Sequence, residues 1–99
     1  MHVFHLIIEV CVTAIKKYGY AFKKDDLNKQ IQLIREPLNE HDNNAIKVCL
    51  DNEQIGYIKR QEAALLAPIL DANVDLKVKQ YKVRKYTSGY IMMQVYLKY

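Results

Sequence analysis

Between Arg35 and Ala45 the chain gathers most of the side chains with which a protein can handle a phosphodiester: Arg35, Glu36, Asn39, Glu40, His41, Asp42, Asn43 and Asn44. Carboxylates such as Glu36, Glu40, Asp42 and the later Asp51 could hold magnesium for phosphodiester hydrolysis. Metal-dependent nucleases need carboxylates converging from separate rigid elements, however, and these cluster in one loop with no evident catalytic lysine or base. The nuclease reading is therefore the weaker one, and no catalytic residue is assigned. His2, His5, Cys11, His41 and Cys49 lack the C-x₂-C or H-x₃-H spacing of structural zinc sites, so neither metal nor cofactor is expected. A blander role is open to Asp42 and Asn44, because Asx side chains commonly do no more than cap a turn.

A second chemistry-bearing region lies at the C-terminus. Lys77, Lys79, Lys82, Arg84, Lys85 and Lys98 follow Leu76 with no acid among them, so the whole of the +4 net charge comes from the last quarter. Tyr81, Tyr86 and Tyr90 are interleaved with these cations. Basic residues displace counterions from a polyanion and aromatic rings stack on unpaired bases, which is a nucleic-acid footprint. An edge hairpin that uses lysine to discourage aggregation has the same composition. A protein-interaction module binding a peptide along a sheet edge is a third reading, which the basic hairpin disfavours unless the partner is acidic.

The elements that must position these groups are mostly strands. Ninety-nine residues make a single domain, 1–99; a hydrophobic share of 51% can fill a core, and 26% charged residues argue against disorder. No run approaches the ~20 apolar residues of a membrane span, and no signal peptide is evident, so a cytoplasmic protein without membrane contact is expected. Cys11 and Cys49 are then expected to be reduced.

Phe4, Leu6, Ile8, Val10, Val12 and Ala14 alternate with more polar neighbours, which predicts a long strand over 2–14 with one face in the core. Residues 15–28 read as a loop. Gln30–Arg35 alternates again and ends at Pro37, which cannot donate to a ladder. Ala45–Leu50 and Gln54–Ile58 form a hairpin across Asp51-Asn52-Glu53. Ala63, Leu65, Leu66, Ile69 and Leu70 recur at helical spacing, and Pro68 predicts a kink or two short helices. Val74–Tyr86 and Tyr90–Lys98 make a final hairpin around Thr87-Ser88-Gly89, and a slip in the apolar phase predicts a β-bulge near Lys79-Gln80. Six strands and one small helix suggest a mainly β fold, a barrel closed or partly open.

The run Leu33-Ile34-Arg35-Glu36-Pro37-Leu38-Asn39-Glu40-His41-Asp42-Asn43-Asn44-Ala45-Ile46-Lys47-Val48 is followed by Gln54-Ile55-Gly56-Tyr57-Ile58-Lys59-Arg60 and then by Glu62–Asp71. These blocks resemble the HIRAN family: a strand ending in R-E/D-P, an N-x-x-D-x-N-A loop, an apolar strand, and G-Y/H-[IL]-[PK]-[RK] leading into a helix. The resemblance is dense from Leu33 to Asp71 and extends from about Ile8 to Leu97.

The resemblance implies an OB-like barrel that binds single-stranded DNA at its 3′ end, in repair or replication-fork processing. It implies a binding module rather than an enzyme. Some relatives are modules of helicases and others small independent bacterial proteins; this chain, beginning at Met1 without a motor, looks like the second kind, with a helicase or other repair protein encoded separately as a possible partner. Asp42 matches the loop carboxylate that accepts from a terminal 3′-hydroxyl and repels a 3′-phosphate. Asn39 matches the residue that helps to hold the terminal nucleotide, and His41 replaces an aromatic between them while keeping a stackable ring. Lys16, Lys17 and Tyr18 correspond to a basic-aromatic pair after the first strand. Lys59 and Arg60 match phosphate-meeting positions, and Tyr90 falls near an aromatic that contacts a base. Arg35 reads as a structural ion pair or a donor to loop carbonyls, Gly56 as a point of close backbone approach, and Tyr57 as either core or surface.

Overall fold

A computed structural model describes residues 4–13, 28–74, 76–84 and 90–98. Its elements follow the expected order: β1 (Phe4–Thr13), β2 (Ile31–Arg35), β3 (Ile46–Leu50), β4 (Glu53–Ile58), α1 (Arg60–Asp71), β5 (Leu76–Arg84) and β6 (Tyr90–Lys98). All six strands join one antiparallel sheet in the order β2-β3-β4-β1-β6-β5. No helix among the described residues is long and apolar enough to cross a membrane.

Alternation sets which faces are buried. Val10 and Val12 of β1 have no exposed surface, and with Ile46, Val48, Leu50, Ile55, Ile58 and Val95 they build the centre of the core. α1 lays Ala63 and Leu66 on that surface. The helix is also tied down by polarity, since Glu62 Oε1 accepts from the Cys11 backbone N–H at 2.9 Å and the Lys59 N–H donates to the Cys11 carbonyl at 2.8 Å.

Two local devices shape the sheet next to the site. Asp51 and Asn52 both adopt positive φ (45° and 73°) between the paired Leu50 and Glu53. That is the two-residue turn whose twist suits a hairpin, and it needs residues that tolerate the left-handed region. At Gly56, an added Cβ would collide with the Thr13 carbonyl of β1, so glycine is what lets β1 and β4 approach where Thr13 pairs with Tyr57.

The structure sharpens the sequence reading in three places. The helix is one continuous element of 12 residues rather than two. Pro68 removes the bond to the Ala64 carbonyl, but both residues are exposed, so water can satisfy it. The alternation of β1 is interrupted by a bulge between Leu6 and Ile8, while the bulge expected near Lys79-Gln80 falls between Gln80 and Lys82. Finally, no ladder joins β2 to β5 among the described residues. Leu33 of β2 and Leu76 and Val78 of β5 nevertheless pack on the same core. The sheet is thus not closed, and the C-terminal end of α1 borders the seam between β2 and β5. The expected loop over 15–28, apart from Asn28, and the Thr87-Ser88-Gly89 turn lie outside the described residues.

Candidate functional site

The loop from Glu36 to Ala45 is built by its own side chains. The Glu36 N–H donates to the Ala45 carbonyl at 3.0 Å, extending the β2–β3 pairing one step beyond Arg35 and Ile46. Pro37 then occupies the second position of a turn closed by the Asn39 N–H on the Glu36 carbonyl, where its fixed φ is an advantage. A second turn closes from the Ala45 N–H to the Asp42 carbonyl.

Arg35 clamps the whole loop. Its guanidinium donates to the carbonyls of Ala45 (2.9 Å) and Asn43 (3.0 Å) and pairs bidentately with Asp71 at the end of α1 (2.9 and 3.3 Å). Both expected roles, ion pair and carbonyl donor, are filled at once. The planar five-donor fork of arginine makes that possible, and lysine could not reproduce it.

Inside the loop, Asn39 Oδ1 accepts from the backbone N–H groups of His41 (2.9 Å) and Asp42 (3.1 Å). Its Nδ2 donates to Glu36 Oε1 at 3.1 Å, and Tyr57 Oη donates to the same oxygen at 2.7 Å. The Tyr57 hydrogen bond, with smaller help from Asn39 and the nearby Lys47, holds the Glu36 carboxyl below its ordinary range against the opposing effect of burial. Asp42 uses Oδ1 to accept from the Asn44 N–H at 2.9 Å, the Asx bond that its residue type allows. Its other oxygen, Oδ2, lies 3.9 Å from Arg60 Nε, a long pair with a largely exposed arginine. Such a contact is weak and leaves both partners able to turn to a ligand.

These residues converge. A groove of about 260 Å³ is lined by Thr13, Asn39, His41, Asp42, Ala45, Tyr57, Ile58 and Arg60. It offers a carboxylate acceptor, an imidazole face, a guanidinium and a small apolar floor from Ala45 and Ile58. Among the described residues no three His, Cys, Asp or Glu side chains stand close enough to share a metal ion. Chemically, the groove can accept a hydrogen bond from a hydroxyl, meet an anion at Arg60 and pack a ring.

A family profile described as the HIRAN domain matches residues 7–99. The chain belongs to the HIRAN domain family. Rabbit helicase-like transcription factor is 49% identical over 45 residues, which is 44% of this chain and 4% of that protein. This HIRAN domain spans only 4–5% of the length of the curated relatives it matches. Its fold is that of the HIRAN domain of human HLTF (TM-score 0.78, 23% identity, covering 98% of this chain and 78% of that one). A Lactobacillus plantarum protein shares it as well (TM-score 0.75, 19% identity, covering 99% and 98%).

Of the residues singled out from the sequence, the structure brings Asn39, His41, Asp42 and Arg60 of this HIRAN domain into one groove. Lys59 does not line it; it is exposed and precedes α1 as the residue whose N–H meets Cys11. Tyr90 opens β6 opposite Arg84, and its side chain lies outside what is described. Lys16, Lys17 and Tyr18 lie outside the described residues.

Two polar groove residues escaped the sequence reading, Thr13 and Tyr57, as did Glu36, which bonds to Asn39 and Tyr57 from outside the groove's lining and was weighed only as a metal ligand. Tyr57 had a usable signal, since Ile58 faces the core and its neighbour in a strand must face away. Thr13 is found only through its pairing with Tyr57, whose carbonyl accepts from Thr13 Oγ1 at 3.3 Å.

Proposed function

We propose that this HIRAN domain is a binding module for single-stranded DNA that captures a 3′-hydroxyl end in the Asn39–Arg60 groove. The observation that carries the reading is the meeting of Asn39, His41, Asp42 and Arg60, from opposite sides of β3 and β4 in sequence, in one groove. At about 260 Å³ the groove falls just below the ~300 Å³ where small-molecule sites begin, a size suited to one terminal unit rather than a run of nucleotides. The terminal hydroxyl donates to Asp42 Oδ2, the preceding phosphate takes Arg60 away from its long contact with Asp42, and the terminal ring rests on His41 and the apolar floor. A 3′-phosphate brings charge against Asp42 and has no donor for it. The basic β5–β6 hairpin supplies the sequence-independent attraction for the rest of the strand.

The domain binds and does not cleave. A captured end serves repair or fork processing in the cytoplasm only if a motor acts on it, and a separately encoded helicase or other repair protein is the partner this reading calls for.

The test is a titration of short single strands that differ only at the 3′ end. The hydroxyl end should bind about tenfold or more tightly than the phosphorylated end, from the ~1.5–3 kcal/mol typical of hydrogen bonds to charged groups. Affinity for both should fall with salt. Asp42→Asn keeps an acceptor for the Asn44 N–H but removes the charge, and should abolish the preference; Arg60→Ala should weaken both ends alike. Equal affinity for the two ends in the wild type sinks end capture, and magnesium-dependent cleavage of the strand would favour a nuclease instead.

A further inference from the structure

Asn39, matched to a nucleotide-holding position, already has its side-chain oxygen and an amide N–H engaged within the loop. Its Oδ1 accepts from two backbone N–H groups and its Nδ2 donates to Glu36. A side-chain amide can be turned two ways, but only one satisfies all three partners here, because a carboxylate waits on one side and two N–H donors on the other. Glu36 therefore anchors the Nδ2 side of Asn39, and the two N–H donors its Oδ1 side. The same Glu36 Oε1 also receives Tyr57 Oη, and Lys47 Nζ stands 4.0 Å from Oε2. Glu36 is itself fixed by its backbone, with its N–H on the Ala45 carbonyl and its carbonyl under the Asn39 N–H.

We infer that Glu36 is the positioning residue of the groove: one carboxylate oxygen holds Asn39 and Tyr57 together, and through Asn39 it sets the backbone of His41 and Asp42. The inference rests on the end-capture reading for its functional consequence, since the Asp42 carboxylate so placed is the group that accepts the terminal hydroxyl. It adds a division of labour within the loop. Asp42 and Arg60 meet the ligand, whereas Asn39 and Glu36 make the cradle. The charge on Glu36 is secondary to its geometry, because both hydrogen bonds fall on one oxygen and a glutamine can present its Oε1 at the same point.

Glu36→Gln and Glu36→Ala, compared with the wild type, test this on the intact chain. Two quantities are read: the ratio of affinities for 3′-hydroxyl and 3′-phosphate strands, and hydrogen exchange at the His41 and Asp42 amides. Glu36→Gln should keep the ratio within about threefold of wild type, while Glu36→Ala should reduce it about tenfold, the effect of hydrogen bonds to a charged group. Exchange at the two amides should quicken in Glu36→Ala and stay near wild type in Glu36→Gln. A Glu36→Ala protein that discriminates as well as wild type overturns the inference and leaves end capture standing. So does a Glu36→Gln protein as impaired as the alanine variant. If the wild type itself shows no end preference, the functional reading has failed alone. Quickened exchange confined to Glu36→Ala then upholds the positioning role, and unchanged exchange overturns it. Thermal unfolding of each variant separates loss of the loop from loss of the fold.

Discussion

Among the described residues, the hollow of about 450 Å³ between β2, β5 and the end of α1 is bounded by Leu33, Leu70, Val74, Leu76 and Val78 together with Asn73. The groove of about 260 Å³ at the end of β1 and β4 is bounded by Thr13, Asn39, His41, Asp42, Tyr57 and Arg60 over a floor of Ala45 and Ile58. The larger hollow marks where the sheet stops short of closing, and Leu33, Leu70, Leu76 and Val78 in its walls also pack on the core. The smaller is enclosed by a loop whose side chains bond to one another before any ligand arrives. Size is a poor guide to function here. What separates the two is that the groove's polar side chains are oriented by hydrogen bonds, while the described side chains of the seam are mostly apolar and meet by packing.

Replacement of a residue that packs against Thr13 at the edge of the groove should have the largest effect. A methyl group at Gly56 meets the Thr13 carbonyl, a backbone atom that cannot rotate away. Gly56→Ala must push β1 and β4 apart beneath the groove. The expected cost is ~3 kcal/mol, the upper part of the overpacking range, with end binding lost as well. Chemical denaturation and a strand titration check the two losses together; a stable Gly56→Ala protein that still binds would show that the two strands need not approach so closely.

The seam and the groove should separate under the next pair. Leu33→Ala removes packing from the seam, and because Leu33 is only partly buried the loss should sit near ~2 kcal/mol, with end preference unchanged. Asp42→Asn should do the converse. Its stability should stay within about 0.5 kcal/mol of wild type, because the bond to the Asn44 N–H survives, while the end preference disappears. Unfolding midpoints and end-paired titrations on both variants form a crossed test. If Leu33→Ala also loses the preference, the two hollows are coupled through β2 and Arg35, and the contrast drawn between them fails.

Much of this arrangement could be read from the sequence because its determinants are local. Asn39 and Asp42 act on backbone within three residues, Asp51 and Asn52 tolerate the positive φ of their turn, and Pro37 fixes its own φ, so the loop and the β3–β4 hairpin follow from residue type. The even face of β1 was equally plain. What stayed hidden depends on distance in three dimensions. The bond from Tyr57 to Glu36 spans 21 positions. Whether β2 reaches β5 is fixed by the curl accumulated over six strands, which no window of sequence contains. The bulge after Leu6 leaves the alternation of the letters intact, so periodicity could not reveal it. The unbroken run of α1 through Pro68 turns on the exposure of Ala64, a property of the packed helix.

The smallest effects should appear in the pH dependence of stability, and they set the loop beside the groove against the docking of α1 on β1. Glu36 has a folded-state pKa held below its ordinary value of 4.5, so its contribution is present above that value and is lost as pH falls through the lower folded one. Cys11 is shifted the other way: burial raises its thiol above the ordinary 9.0, Glu62 adds to the rise and Lys59 opposes it. Its contribution is whole below pH 9 and fades as the pH climbs toward the raised value, because the unfolded chain then gains by ionising first. The acid limb therefore reports on the loop and the alkaline limb on the docking of α1 against β1. Glu36→Gln should flatten the acid limb and leave the alkaline one alone; Cys11→Ser should flatten the alkaline limb, since a hydroxyl does not titrate there, and leave the acid one alone. Thermal midpoints taken from pH 3 to pH 10.5 on the three proteins decide it. An acid limb unchanged in Glu36→Gln would mean that other carboxylates dominate acid unfolding and that the Tyr57 bond to Glu36 adds little to the folded state.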